Sequence, residues 1–442
     1  MIERYSHPQM RGLWEPQAKT QRWLDVEIAV CEGLAHFGYI PQEDVEKIKA
    51  DSKFELDRIA ELEKETRHDV MAFVKNVQEH LGDEGRFVHF GITSYDVVDT
   101  ALSLLLRDSL DLILEGVDGL MKVVGRLAVE HKDTLQIGRT HGIHAEPITF
   151  GYKLAVWYSE LQRNVVRLQA ARENIAYGKI SGAVGTHANI SPEVETWVCE
   201  SLGLKAADVS TQILQRDRHA QVVTTIAILA GSLEKFATEL RNLQRTEILE
   251  VQEFFAVGQR GSSAMPHKRN PWNSETVSGL ARVIRGFVVP ALENVTTWHE
   301  RDLANSSVER VILPDTCVLM DWMLRKFTNI LDTLNVYPEN MKKNLEKMGG
   351  LVASEQVMLA LIEKGLSRDD AYKVAQRNAA KAWEGEDFAT AVAADPLVTA
   401  NLTPEEVAKA FDIRYHLKHV DETFQKLGLL PQENTGGDQW RG

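Results

Sequence analysis

The sequence predicts an all-α protein built around several very long helices, and three observations carry that expectation. Proline is absent between Pro41 and Pro147 and again between Pro192 and Pro266, and proline is what most often breaks a helix interior. Apolar residues recur at three- and four-residue steps over long stretches, as one buried helical stripe requires. Sustained strand-type alternation is scarce.

Taken in order, the first long stripe is Leu102, Leu105, Leu112, Ile113, Leu120, Val123, Val124 and Leu127. A second runs through Leu154, Trp157, Leu161, Val165 and Leu168, and a third through Val222, Ile226, Leu229, Leu233, Phe236, Leu240 and Leu243. Helix starts are legible. Ser191-Pro192-Glu193 places a capping serine before proline at the first helical position. Asn270-Pro271 reads as another cap, with Glu275 early in its helix. Thr403-Pro404-Glu405-Glu406 is a capping box. Helices this long need faces completed by other helices, including those of other subunits, so oligomerisation is expected, with the stripes at 101–127 and 220–243 between subunits. The polar, Gly-rich tail after Leu430 reads as frayed.

At 442 residues, and roughly 100–200 residues per domain, two to four domains are expected. Acidic residues exceed basic ones, 64 to 50, for a net charge of −14, which argues against general nucleic-acid or membrane-surface binding. The longest uncharged apolar-leaning run, Ala220 to Leu233, is too short to span a bilayer. The opening MIERYSHPQM has no hydrophobic signal region. Cys31, Cys199 and Cys317 are scattered and odd in number, which fits a reducing cytoplasm rather than a disulfide framework.

Five polar segments interrupt the helical pattern: Lys64 to Asp69, His89 to Asp96, Ile137 to Pro147, Lys179 to Pro192 and Gly258 to Pro271. The last, GQRGSSAMPHKRNP, carries Arg260, His267, Lys268 and Arg269 without one acid, and suits an anion. Its flanking glycines and the helix that follows also suit a lid. Phosphate loops, dinucleotide fingerprints, H-E-x-x-H pairs and nucleophile elbows are all missing. His141 and His144 have no third ligand at suitable spacing, so no metal is expected.

GSSAMPHKRNP, Gly261 to Pro271, resembles the signature loop of the fumarase/aspartase superfamily. HFGITSYDVVDTA and GRTHGIHAEPITFG are similar to its other two shared regions, in the right order. Within the superfamily, RYSHPQM, TRHDVMAF, TSYDVVDTA and the His-Lys-Arg-Asn form of the signature resemble the adenylosuccinate lyase family. The 3-carboxymuconate cycloisomerase branch shares two of these patterns, and TRHDV favours the former. A non-catalytic helical scaffold is the alternative of a different class.

The resemblance implies a small N-terminal helical domain (1–93), a long-helix bundle carrying the signature loop (94–341) and a helical C-terminal domain (342–442). It also implies a homotetramer with active sites shared between subunits, and no cofactor. The implied reaction is β-elimination of fumarate from adenylosuccinate, giving AMP, and from the succinylated carboxamide SAICAR, giving AICAR. The resemblance puts the base at Ser262 and the acid at His141, with Lys268 and Asn270 gripping substrate carboxylates and Ser263 hydrogen-bonding substrate. His68 touches substrate or orients His141, Glu275 gives polar support, and His89 is a further active-site histidine. Arg4 and Tyr5 contact the nucleotide phosphate or ribose. Arg67, His68, Asp69, Thr93, Ser94 and Gln212 line the nucleotide and succinyl pocket. Arg301, Ser306 and Arg310 are phosphate-binding elements, for which arginine's planar fork is suited.

Overall fold

The computed structural model describes residues 2–256, 258, 261 and 263–432. The chain opens with α1 (Pro8–Trp14) and α2 (Pro16–His36), each begun by proline at its first position, where the missing N–H costs nothing. Short helices α3 (Gln42–Asp51), α4 (Leu56–Thr66) and α5 (Asp69–Gln78) follow. The long helices are α6 (Ser94–Glu130), α7 (Phe150–Ile175), α9 (Asp217–Leu243) and α12 (Ala304–Asp332). Between them lie α8 (Pro192–Ser201), α10 (Trp272–Gly286) and α11 (Val288–Glu293). The C-terminal part holds α13 (Pro338–Glu346), α14 (Ser354–Glu363), α15 (Arg368–Trp383), α16 (Phe388–Ala393), α17 (Pro396–Asn401), α18 (Pro404–Ala410) and α19 (Val420–Lys426).

Strands are few and short. An antiparallel pair joins β1 (Leu135–Thr140) to β2 (Ile143–Thr149). Two-residue pairs join β3 (Tyr177–Gly178) to β4 (Lys205–Ala206), and β5 (Val251–Gln252) to β6 (Asn335–Val336).

The chain forms two compact units. One comprises Met1–Gly119, Gln162–Lys235 and Thr276–Phe327; the other comprises Leu120–Leu161, Phe236–Glu275 and Thr328–Gly442. The helical stripes are already buried within the single chain. On α6, Leu106, Leu110, Ile113, Val117, Leu120 and Val124 are fully buried, whereas Leu102, Leu112 and Val123 lie half-buried on the flank. Each fully buried aliphatic side chain contributes about 1.5–3 kcal/mol, so these stripes need no second subunit to account for their apolar character. The expectation that they lie between subunits is not what the chain's own packing requires.

Caps follow the sequence with two differences. Thr403 and Glu406 form the capping box, but Ser191 starts α8 with no side-chain capping bond. Asn270 does not cap α10; its Nδ2 donates to the Gly261 carbonyl at 2.9 Å and closes the signature loop.

Candidate active site

In the first unit, the segment TRHD is a junction between two helices. Arg67 ends α4 in the left-handed conformation, φ 50°. His68 caps α5, its Nδ1 accepting the Met71 N–H at 3.3 Å. A ring nitrogen that accepts carries no proton, so Nε2 is the donor of the neutral ring. Asp69, first residue of α5, forms a close ion pair with Arg310. That pair, with a hydrogen bond from Val70, outweighs burial and holds the Asp69 carboxyl below the usual range.

These three consecutive residues line a cavity of about 450 Å³ together with Ser94, Tyr95, Arg301, Ser306 and Arg310. Ser94 begins α6, and Thr93 before it donates its N–H to Asp96 at 2.8 Å. The Arg301 guanidinium stacks 3.5 Å above the Tyr95 ring and donates to Gln212 Oε1 at 2.9 Å. The set therefore brings together seven sequence-predicted residues, with Gln212 bound to one of them. Others sit apart. Tyr5 packs edge-on against Trp322, which is twelve residues beyond Arg310 on α12 and so roughly 18 Å along the helix; Arg4 precedes it. His89 is held by the buried Glu27, whose carboxylate takes both its N–H, at 2.9 Å, and its Nδ1, at 2.7 Å. Burial disfavours the His89 cation, but the Glu27 bond and charge outweigh it and raise the pKa.

Beneath the cavity lies a network that sequence reading missed. Arg216 is fully buried and donates to Asp99 at 2.6 and 2.8 Å and to Glu309 at 2.9 and 3.1 Å. It ties α6 and α12 to the start of α9, next to Tyr95, Ser306 and Arg310. Lys179 and Asp96, both fully buried, make a second ion pair at the foot of α6.

In the second unit, His141 and Gly142 are the two turn residues of the β1–β2 hairpin, with φ 56° and 78°, the pattern of a type I′ turn. His141 stands exposed at the tip. The signature loop precedes α10. Within it, Lys268 donates its N–H to the Met265 carbonyl at 3.1 Å. A Cβ on Gly261 would meet the Lys268 carbonyl oxygen at 1.8 Å, so only glycine fits. Lys268, Asn270 and Glu275 line a cavity of about 1070 Å³ with Arg241, Arg245, His267 and Arg269. Ser263 is exposed; Ser262, the expected base, lies outside the described residues.

A family model described as lyase matches residues 3–286, and one described as adenylosuccinate lyase C-terminus matches residues 350–427. The chain is 53% identical over 430 residues to adenylosuccinate lyase of Bacillus subtilis, covering 97% of this chain and 100% of that one. It is 54% identical to the adenylosuccinate lyases of Synechocystis and Aquifex aeolicus, again over 97% of this chain. The chain belongs to the adenylosuccinate lyase family. Among solved structures, a fumarate lyase from Mesorhizobium superposes with a TM-score of 0.88 at 28% identity, covering 97% of this chain and 99% of that one. A 3-carboxy-cis,cis-muconate lactonizing enzyme from Pseudomonas putida gives 0.87 at 31%, covering 96% of each. The helical fumarase/aspartase fold expected from the motifs is therefore the fold of this family member, and the chain is a lyase.

Tyr95, which lines the cavity, and Asp99, Arg216 and Glu309, which form the network beneath it, are residues that motif reading passed over. Tyr95 and Asp99 lie inside TSYDVVDTA and Glu309 inside SSVER, so the segments were visible although the individual contacts were not.

Proposed function

We propose that this chain is an adenylosuccinate lyase in activity: it eliminates fumarate from adenylosuccinate to give AMP, and from SAICAR to give AICAR. Ser262 takes the proton from the carbon next to a succinyl carboxylate, the C–N bond breaks, its electrons leave with nitrogen, and His141 protonates that nitrogen. Charge builds on the carboxylate as an aci-carbanion, which Lys268 and Asn270 stabilise. Ser263 hydrogen-bonds substrate and Glu275 gives polar support. His68 Nε2–H is a donor for substrate, and His89 is a further active-site histidine, held by Glu27. Arg301, Ser306 and Arg310 take the phosphate and ribose, with Arg67, Asp69, Thr93, Ser94 and Gln212 completing the pocket; Arg4 and Tyr5, which lie apart from that cavity in the single chain, join such a site through its sharing between subunits. No cofactor is needed, since acid, base and cations are all side chains.

The observation that carries this reading is the convergence of Arg67, His68, Ser94, Arg301, Ser306 and Arg310 on one cavity, a cationic and hydrogen-bonding set suited to a phosphorylated dianion. In this reading residues 1–93, 94–341 and 342–442 are the three domains, the enzyme is a cytoplasmic homotetramer, and its sites are shared between subunits. Exposed Val156, Val166, Ile228 and Val311 on the long helices, and Val283 on α10, support such contacts. Incubation with adenylosuccinate, following fumarate by absorbance with 3-carboxymuconate as control, tests the activity. Turnover of the control alone overturns it, and light scattering that finds a fully active monomer overturns the shared sites.

A further inference from the structure

Two buried carboxylates stand three residues apart on the segment that precedes the signature loop. Glu250 is fully buried and accepts four hydrogen bonds: from Gln136 at 2.6 Å, from Arg139 at 2.6 and 3.2 Å, and from Asn344 at 2.8 Å. Gln136 and Arg139 both belong to β1, and Arg139 is two residues before His141. Glu253, 5% exposed, reaches α10 instead. It accepts the backbone N–H groups of Asn273 and Ser274 at 3.3 and 2.8 Å and the Asn273 amide at 2.8 Å. It thus caps from a distance the helix terminus at which the signature loop ends.

The segment between the two is itself fixed. The Glu250 N–H donates to the Leu243 carbonyl and the Tyr337 N–H to the Glu250 carbonyl, both at 2.9 Å. Val251 and Gln252 pair with β6. Gln244 accepts the Glu253 N–H at 3.0 Å and donates to the Arg269 carbonyl, inside the loop, at 3.1 Å. A carboxylate offers about four lone-pair sites, and Glu250 uses all four, which no uncharged side chain of its size can do.

We propose that Glu250 and Glu253 are positioning residues of the elimination: Glu250 fixes the strand that presents His141, Glu253 fixes the end of the signature loop, and the rigid stretch 250–253 joins the two anchorages. Neither touches substrate. This rests on the reading of His141 as acid and of the signature loop as carrier of the base. Misplacing a catalytic group by about 1 Å can cost on the order of 10²-fold in rate.

The test is a double-mutant cycle, because coupling separates positioning from general destabilisation. Glu250→Gln puts an amide N–H₂ against donors; kcat should fall by about 10–10²-fold with KM within roughly threefold. In His141→Gln the hairpin has no acid to position. The double variant Glu250→Gln/His141→Gln should therefore turn over no more than about threefold below His141→Gln. Gln136→Leu removes one donor and leaves the Arg139 ion pair, so it provides the same cycle in a milder form if Glu250→Gln does not fold. Glu253→Gln should be non-additive with Ser262→Ala in the same way. Losses that multiply in both cycles, or wild-type kcat in folded Glu250→Gln, overturn the positioning role while leaving the acid assignment standing. Near-wild-type turnover in His141→Gln alone overturns the acid assignment and the positioning proposal with it.

Discussion

Arg216→Met is the perturbation whose cost the structure allows to be worked out most fully. The guanidinium donates four bonds to Asp99 and Glu309 and a fifth to the Leu214 carbonyl at 2.7 Å. Methionine fills comparable volume but supplies none of them. Among the described residues, Asp99 then keeps only the Leu214 N–H, and Glu309 only the Asn305 amide. Removing one partner from a buried ion pair costs about 3–5 kcal/mol, because the remaining charge is desolvated without compensation. With a slope of about 3 kcal/mol/M in urea, the unfolding midpoint should fall by roughly 1–1.7 M at pH 8.

The pH dependence has a definite sign. Burial raises the Asp99 pKa, and Arg216's charge and hydrogen bonds outweigh it, so the native group sits below its ordinary value. Without Arg216 burial dominates, and the pKa moves above the unfolded value of about 4. A carboxyl raised in this way contributes stability below its unfolded pKa and loses it as pH rises through the folded one. The variant should therefore be less destabilised at pH 5 than at pH 8. Asp99→Asn, which leaves Arg216 paired with Glu309, should cost less than Arg216→Met at pH 8. Urea titrations at the two pH values, read by helical signal, decide the matter. A midpoint within about 0.3 M of wild type at both (near 1 kcal/mol on the same slope) would refute the claim that this network holds α6, α9 and α12 together.

Further expectations concern the catalytic groups and one other titrating group. Ser262→Ala should lower kcat by orders of magnitude to a small residual rate while adenylosuccinate still binds; Ser263→Ala should do less harm, about 0.5–1.5 kcal/mol, and Lys268→Ala should damage binding and kcat together. Titration calorimetry on the inactive variants distinguishes these, and normal turnover in Ser262→Ala would shift the base to a histidine. Gly261→Ala should lower kcat sharply with little change in Tm, since its Cβ would collide with the exposed loop's Lys268 carbonyl rather than with a core. Glu146 is pushed up to about 7 by burial and then by its hydrogen bond and repulsion from Glu355. Its contribution is present below pH 4.5 and lost as pH rises through 7, so Glu146→Gln should raise Tm relative to wild type at pH 8 and not at pH 5. An equal Tm difference at both pH values would exclude that pair as its source.

What the sequence made legible follows from the range of each interaction. The long helices, the proline starts of α8 and α18 and the Thr403 capping box are local, and local spacing reveals them. The β1–β2 hairpin is not, because its turn uses His141 at positive φ in place of the usual Asn or Asp before glycine. Its paired positions also mix Gln136, Arg139, His144 and Pro147, so no clean alternation marks two strands. Arg67 to Asp69, Ser94, Arg301, Ser306 and Arg310, which line one cavity, are legible because they fall inside motif segments. Glu250, Glu253, Asp99 and Arg216 read in sequence as ordinary charges. Their partners are as many as 117 residues away, and only folding shows that these charges are buried.

A division of labour follows from where the charges lie. His141, Ser263 and Lys268 are exposed in the chain, whereas Glu250 and Glu253, on which their segments rest, and Arg216, beneath the cavity of the first unit, are nearly or wholly buried. An exposed side chain has little desolvation to recover, so replacing it should leave the urea midpoint almost unchanged, within about 0.5 kcal/mol. A buried carboxylate or guanidinium with four donors or acceptors should instead lower stability and rate together. Measuring urea midpoint and kcat for the same variants therefore sorts the groups without a ligand-bound structure. His141→Gln and Lys268→Ala should fall on the axis of lost rate at constant stability, and Arg216→Met on the diagonal. Should His141→Gln prove as destabilising as Arg216→Met, the hairpin tip is packed rather than presented, and its role as a proton donor reaching outward to substrate would have to be abandoned.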